Sequence, residues 1–345
     1  MPYLTDPREL GSLIDDEPAY RADQLHDWLY KTPVLTTSEM TNLPPALRES
    51  LADRLWPFEV EAEQSADDGT TRKWLFRAHD GMAIEAVLMG YRNRTTLCIS
   101  SQAGCALGCT FCATGQFGFD RHLEAGEIVA QVQYANAWLR RHPMAGSPVR
   151  VTNIVFMGMG EPLANYDRVR ESIRRMIEHI GMGARSITVS TVGVVPGMLR
   201  LADEPWQVGL AVSLHAADDE LRSSIVPINK RYPLADVEAA AARYFEAKGR
   251  RVSIEWTMLA GINDTTEQAE KLAPIARRLK AHVNLIAMNP TPLSIDQPST
   301  REVIERFASR LEALGVNVTV RNTRGQEIDA ACGQLRVRAA SPKPG

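Results

Sequence analysis

Four of the chain's five cysteines fall within 15 residues, at positions 98, 105, 109 and 112. Three of them form Cys105-Ala-Leu-Gly-Cys109-Thr-Phe-Cys112, directly after an apolar strand pattern. Thiolates hold iron–sulfur clusters, and a [4Fe–4S] cubane offers four iron corners. Three cysteines in one short loop can occupy three corners and leave the fourth iron open. An open metal position is the mark of a catalytic rather than a structural site. The amino and carboxylate groups of S-adenosylmethionine (SAM) are suited to chelating such an iron. Gly104 and Gly108 permit the tight backbone wrap that this requires. The competing metal is zinc, which wants four ligands and usually takes them from paired CxxC units. The nearest extra candidates for it are Cys98 and His122.

Other residues sit where chemistry is done. Gly158-Met159-Gly160-Glu161-Pro162 follows a strongly apolar strand pattern, so it belongs to a β-to-α loop at an active-site rim. Glycines there allow close backbone approach, and an acid can accept hydrogen bonds from an ammonium group. Ser190, Ser213, His215 and Asn289 each end an apolar run, the place from which polar groups line a ligand pocket. Glu85 is the lone acid of Met82–Met89, and strand alternation puts it on a face with Ala83, Val87 and Met89. An acid on an apolar face has a raised pKa and exchanges protons near neutrality. Cys332 lies in Asp-Ala-Ala-Cys-Gly-Gln, without the periodicity that would bury it as a core residue.

The elements that must position these groups follow from apolar periodicity. Helical spacing marks 20–30 and 43–55. Residues 71–78 and 82–89, joined by His79-Asp80-Gly81, form a β-hairpin pattern. Strand patterns then recur at 95–100, 152–158, 186–191, 208–214, 252–259, 282–289 and 316–322, with amphipathic helices between them. Six βα units in series imply an α/β fold with a parallel sheet, open or closed into a partial barrel. The functional loops should then lie at the strands' C-terminal ends. The expected divisions are a helical N-terminal region at 1–65, a hairpin extension at 66–93, the barrel at 94–322, and a C-terminal cysteine loop and tail at 323–345.

Composition sets the outer bounds. The 345 residues are 44% hydrophobic and 23% charged, ordinary values for a globular protein. No apolar run approaches the ~20 residues that span a bilayer, and the N-terminus lacks a secretory pattern, so a cytoplasmic protein without membrane contact is expected. An odd cysteine count argues against a disulfide framework. The net charge of −3 does not advertise nucleic acid. Basic clusters do exist at Arg140/Arg141, Arg168/Arg170/Arg174/Arg175, Lys230/Arg231 and Arg250/Arg251, and from charge alone they are solvated faces.

The segments TLCISSQAGCALGCTFCATGQFGF, MGMGEPLANY, VSTVGVVP, SLHA, PINKRYP, NLIAMNP and DAACGQL together resemble one family of radical SAM enzymes. It is the dual-specificity ribosomal and transfer RNA adenine-C2 methyltransferases (RlmN), and the likeness runs from about residue 70 to the end. The resemblance implies a partial (β/α)6 barrel with an N-terminal helical accessory domain. It implies a [4Fe–4S] cluster on Cys105, Cys109 and Cys112. Gly160, Glu161, Ser190, Ser213, Leu214, His215 and Asn289 would bind SAM. Two SAM molecules would be used: one methylates Cys332, and the other yields a 5′-deoxyadenosyl radical that takes hydrogen from that methyl group. The carbon radical would add to adenine C2, Glu85 would accept the proton, and Cys98 would form a transient disulfide with Cys332 to release the product. The implied partners are 23S ribosomal RNA, transfer RNA and an electron donor such as flavodoxin, with the enzyme a monomer. A sister family that methylates adenine C8 shares much of the pattern, and a radical SAM enzyme with a non-RNA substrate is a further alternative.

Overall fold

The structure, a computed structural model, describes residues 1–291, 294, 296–321, 324–331 and 333–335. Its strands are β1 (Phe58–Ala66), β2 (Thr71–Ala78), β3 (Ala83–Tyr91), β4 (Arg94–Cys98), β5 (Gln102–Gly104), β6 (Phe119–His122), β7 (Asn153–Phe156), β8 (Ile187–Thr191), β9 (Gly209–Ser213), β10 (Ser253–Met258), β11 (His282–Ala287) and β12 (Asn317–Arg321). Among the described residues, ten strands form one sheet in the order β1-β2-β3-β4-β7-β8-β9-β10-β11-β12, and β5 pairs with β6 apart from it. From β1 to β4 the pairing is antiparallel. From β4 onward it is parallel. Each parallel strand lies beside its predecessor, so the sheet winds one way like a barrel.

Helices Ala125–Arg141, Tyr166–Arg175, Val195–Asp203, Leu234–Lys248, Thr266–Arg278 and Arg301–Ala313 return the chain between parallel strands. Thr265 and Thr300 cap the last two by accepting hydrogen bonds from Gln268 and Val303. Such a cap contributes about 1 kcal/mol. Strand alternation buries Ile154, Val189, Leu210, Val212, Ile254, Trp256, Val283 and Leu285 in the main core. Each large apolar side chain there contributes about 1.5–3 kcal/mol. The opposite face carries Val155, Ser190, Ser213, Glu255 and Asn284, a more polar set suited to ligands.

The expected hairpin is β2 and β3, turning at Gly81 with φ +85°. A third strand, β1, joins its outer edge and occupies the end of the stretch expected to be helical. The N-terminal segment forms short helices at Tyr20–His26 and Pro45–Ala52, close to the expected positions. It packs on the helix Ala125–Arg141 so closely that a side chain at Gly126 would strike the Tyr3 carbonyl. Arg175 donates to the carbonyls of Tyr3 and Thr5, which fastens the same segment to a second helix. Among the described residues, no helix is long and apolar enough to cross a membrane.

Candidate active site

At the C-terminal ends of the parallel strands a cavity opens, with about 910 Å³ of empty space when its mouth is included. Cys105, Cys109 and Cys112 line it together with Gly160, Glu161, Ser190, Ser213, His215 and Asn289. The cysteine loop is shaped by its own backbone. Gly104 (φ +76°) adopts a left-handed conformation, and a side chain there would strike the Gly118 carbonyl. The Cys105 amide donates to that same carbonyl at 2.6 Å, and Thr110 N donates to Ile225 O at 3.2 Å. Beneath the loop Cys109 and Phe111 pack with Ala216, Ile225, Val226, Leu259 and Met288 in a small core of their own.

Burial pushes the Cys105 thiol up to about 12 and Cys109 well above its ordinary value, with Cys112 and Glu161 adding repulsion. Thiols in such surroundings become thiolates when a metal supplies the compensating charge. Three of them on one cavity wall fit a cluster whose irons each take a separate thiolate. Among the described residues, no three Cys, His, Asp or Glu side chains converge on one metal position. His122 instead pairs its Nδ1 with Gln102 Nε2 at 3.0 Å.

The opposite wall is held as firmly. Gly160 (φ +96°) lies against the Gln102 side chain, which accepts a hydrogen bond from Glu161 N at 2.7 Å. Glu161 is buried and accepts from the amides of Leu163 and Val192, each at 3.0 Å. Burial nevertheless raises its carboxyl to about 7. Ser190 and Ser213 place their hydroxyls 3.3 Å apart. His215 accepts from Thr257 N at its Nδ1, and burial lowers it to about 3, so its ring is neutral. Leu214 does not line the cavity: its side chain joins the core, while its backbone bonds Glu255 and Arg222.

Asn289 Oδ1 accepts from Gln326 in the C-terminal segment at 2.9 Å. Cys332 lies outside the described residues, and with it the transient disulfide expected with Cys98. Its described neighbours do approach the site. Gly333 lines the cavity and accepts a hydrogen bond from Ala113 N, beside Cys112, at 2.7 Å. Thr114 Oγ1 donates to Leu335 O at 2.6 Å. Glu85 and Cys98 are buried and do not line the cavity, yet they share a face. The register Val87↔Cys98 puts Glu85, Val87 and Cys98 on one side of the sheet. Cys98↔Val155 then carries that side into the barrel.

Sequence patterning missed three groups. Glu255 lines the cavity, bonded to Asn284 at 2.9 Å and Arg321 at 3.2 Å. Its signal was the one that marked Glu85, a lone acid in an apolar strand. Arg222 is fully buried and donates to the carbonyls of Val192 and Leu214 and to Asn229 Oδ1, clamping the ends of β8 and β9. Burial lowers its pKa to about 10. Replacing it by Met should cost about 3 kcal/mol, because several buried carbonyls lose their donor; chemical denaturation measures this. Lys73 is the third, an ion-pair partner of Glu85. The arginines of Tyr166–Arg175 are engaged with carboxylates: Arg168 with Glu124, Arg170 with Glu204, and Arg174 and Arg175 with Glu171.

Comparison with known proteins shows the family and the fold. The Radical SAM superfamily profile matches residues 99–273, and the ribosomal RNA large subunit methyltransferase N-terminal domain profile matches 12–56. A probable dual-specificity RNA methyltransferase RlmN from Salinispora tropica is 50% identical over 325 residues, 92% of this chain and 87% of the relative. Its namesake from Thermobifida fusca is 49% identical, covering 97% and 94%. The crystal structure of a radical SAM methyltransferase from Sphaerobacter thermophilus superposes with a TM-score of 0.91 at 48% identity, over 97% of this chain and 98% of that one. The family's cofactors are a [4Fe–4S] cluster and SAM, and the chain is an enzyme of the radical SAM superfamily that belongs to its RlmN family of dual-specificity RNA methyltransferases.

Proposed function

We propose that this enzyme methylates C2 of an adenine in 23S ribosomal RNA and in transfer RNA, with Cys332 as the methyl carrier. The observation that carries the reading is the hydrogen bond from Ala113 to Gly333, which joins the loop of three cysteines to the residue after Cys332 at one cavity. Adenine C2–H is neither acidic nor nucleophilic, so polar methyl transfer has no purchase there. When bound at Cys105, Cys109 and Cys112, the cluster with SAM supplies a 5′-deoxyadenosyl radical, the hydrogen-abstracting chemistry such a carbon needs.

The chain's own groups do the rest. Gly160 and Glu161 receive the SAM amino group, while Ser190, Ser213, His215 and Asn289 form the remaining SAM surface. The Cys332 thiolate takes a methyl group from one SAM: a sulfur–carbon bond forms as the sulfonium–methyl bond breaks. The carrier carbon, after losing one hydrogen, bonds to adenine C2. Glu85 accepts the proton lost from C2, and the adduct's one unpaired electron would return to the iron–sulfur centre that spent one electron on SAM cleavage, which leaves a closed-shell carbon–sulfur link. Cys98 then attacks the Cys332 sulfur, so a disulfide forms, the carbon–sulfur bond breaks, and the methylated base departs with a proton from solvent. An external dithiol restores both thiols. The base leaves its stack to reach the cavity. A flavodoxin-class reductant and a monomeric, cytoplasmic enzyme complete the reading.

Glu161 gives this function a pH signature. Its carboxyl titrates near 7, and only the ionised form attracts an ammonium group. SAM affinity should therefore be full above pH 7 and weaken by about tenfold per unit as pH falls below it. Equilibrium dialysis checks this, and Glu161→Gln should bind weakly at every pH. The reaction itself is tested by anaerobic incubation of loaded enzyme with reductant, SAM and protein-free ribosomal RNA. Mass spectrometry of the nucleosides should show 2-methyladenosine; 8-methyladenosine would move the chemistry to C8, and no methyladenosine would exclude this RNA substrate.

A further inference from the structure

Lysine is rarely taken out of water unless a partner compensates it. Lys73, in β2, is 7% exposed, and its Nζ lies 3.0 Å from Glu85 Oε1. The registers Lys73↔Val87 and Leu75↔Glu85 make the pair diagonal neighbours on the sheet face that also carries Cys98. The same ammonium group reaches a third element. It donates to the backbone carbonyl of Asp329 at 3.3 Å, across 256 residues of sequence and three residues before Cys332. Asp329 has φ +51°, a left-handed conformation that a non-glycine residue holds when its surroundings fix it. Two neighbouring bonds fasten this segment to β3 and to the turn between β1 and β2. Arg324 donates to Gly90 O at 2.8 Å, and Gly325 N donates to Asp67 Oδ2 at 3.0 Å.

We propose that Lys73 is a positioning residue that orients the Glu85 carboxylate and ties it to the segment bearing Cys332. The inference rests on Glu85 accepting the adenine proton and Cys332 carrying the methyl group. A base acts on one C–H bond only if it is held at hydrogen-bond range of it. The methyl carrier fixes where adenine C2 lies, so a single cation bonded to both elements sets the spacing between base and target.

The test compares Lys73→Met, Lys73→Arg, Glu85→Gln and the double variant Lys73→Met/Glu85→Gln as full-length, iron-loaded enzyme. The measured quantities are iron content, SAM cleavage, lifetime of the covalent protein–RNA adduct on denaturing gels, and methyladenosine formed. The double variant leaves neither buried charge unpaired, which separates misfolding from misplacement. Lys73→Met should retain iron and SAM cleavage but hold the adduct about tenfold or more longer, as Glu85→Gln does. Lys73→Arg should return most of the rate, and the double variant should be no slower than Glu85→Gln alone. The proposal is overturned if Lys73→Met resolves the adduct at the wild-type rate while Glu85→Gln does not. It is also overturned if the two substitutions multiply in the double variant, or if all Lys73 variants lose iron and SAM cleavage alike. Wild-type adduct resolution by Glu85→Gln would instead refute the role given to Glu85.

Discussion

Cys109→Ala should yield a folded protein that carries little iron and neither cleaves SAM nor methylates RNA. The Cys109 side chain packs with Phe111, Ala216, Ile225, Val226, Leu259 and Met288, so trimming its sulfur costs about 1 kcal/mol of packing. Removing one of three thiolates would be far more serious for a cluster, because each thiol on that wall would serve its own iron. Since the cofactor carries the difficult step, turnover should fall on the order of a thousandfold or more, to background. Iron per chain, 5′-deoxyadenosine release and thermal melting, measured on one preparation, check all three parts. Iron and SAM cleavage at wild-type levels in a folded variant would remove Cys109 from the ligand set.

Cys98→Ala should have the opposite phenotype: a loaded, SAM-cleaving enzyme that stalls with RNA covalently attached. Cys98 ends β4, buried, on the sheet face of Glu85 and outside the lining of the cavity. Its absence leaves the steps that build the carbon–sulfur link to RNA untouched and removes the nucleophile that breaks it. Released methyladenosine should fall by about a hundredfold or more while a slower-migrating protein–RNA species accumulates on denaturing gels. Alanine is a small loss in this position, so folding should survive. Full product yield without an adduct would mean that release does not use this thiol.

How far these sites could be read in advance differs from residue to residue. The cysteine loop was plain because its ligands are neighbours in sequence, and one loop closed by Gly104 brings them together. Ser190, Ser213, His215 and Asn289 were legible for a geometric reason: an apolar run that ends in a polar group marks the C-terminal end of a buried parallel strand, where the cavity lies. Leu214 illustrates the limit of carrying a motif across as side chains, since it meets its surroundings through its backbone. Strand β1 alternates in sequence, Phe58-Glu59-Val60-Glu61-Ala62-Glu63, but it is an edge strand whose interior is exposed on both faces, so it runs on from the N-terminal helices without a buried stripe to mark it. Arg222 and Lys73 could not be foreseen. Their partners lie on separate elements, and only the folded chain shows a guanidinium clamping two strand ends or an ammonium bridging β3 to the segment before Cys332. The arginines of Tyr166–Arg175 formed a basic run in sequence, and the fold pairs them with glutamates that sequence proximity only partly suggests.

The central claim is that the transferred carbon passes through Cys332, and isotope routing tests it most directly. Enzyme first charged with SAM bearing a trideuterated methyl group, then freed of it, is given RNA, reductant and unlabelled SAM for a single turnover. The account predicts that the first methyladenosine formed retains two of the three deuterons, with the third in 5′-deoxyadenosine, and that Cys332→Ala forms no methyladenosine. An unlabelled methyl group, or one that keeps all three deuterons, would contradict it.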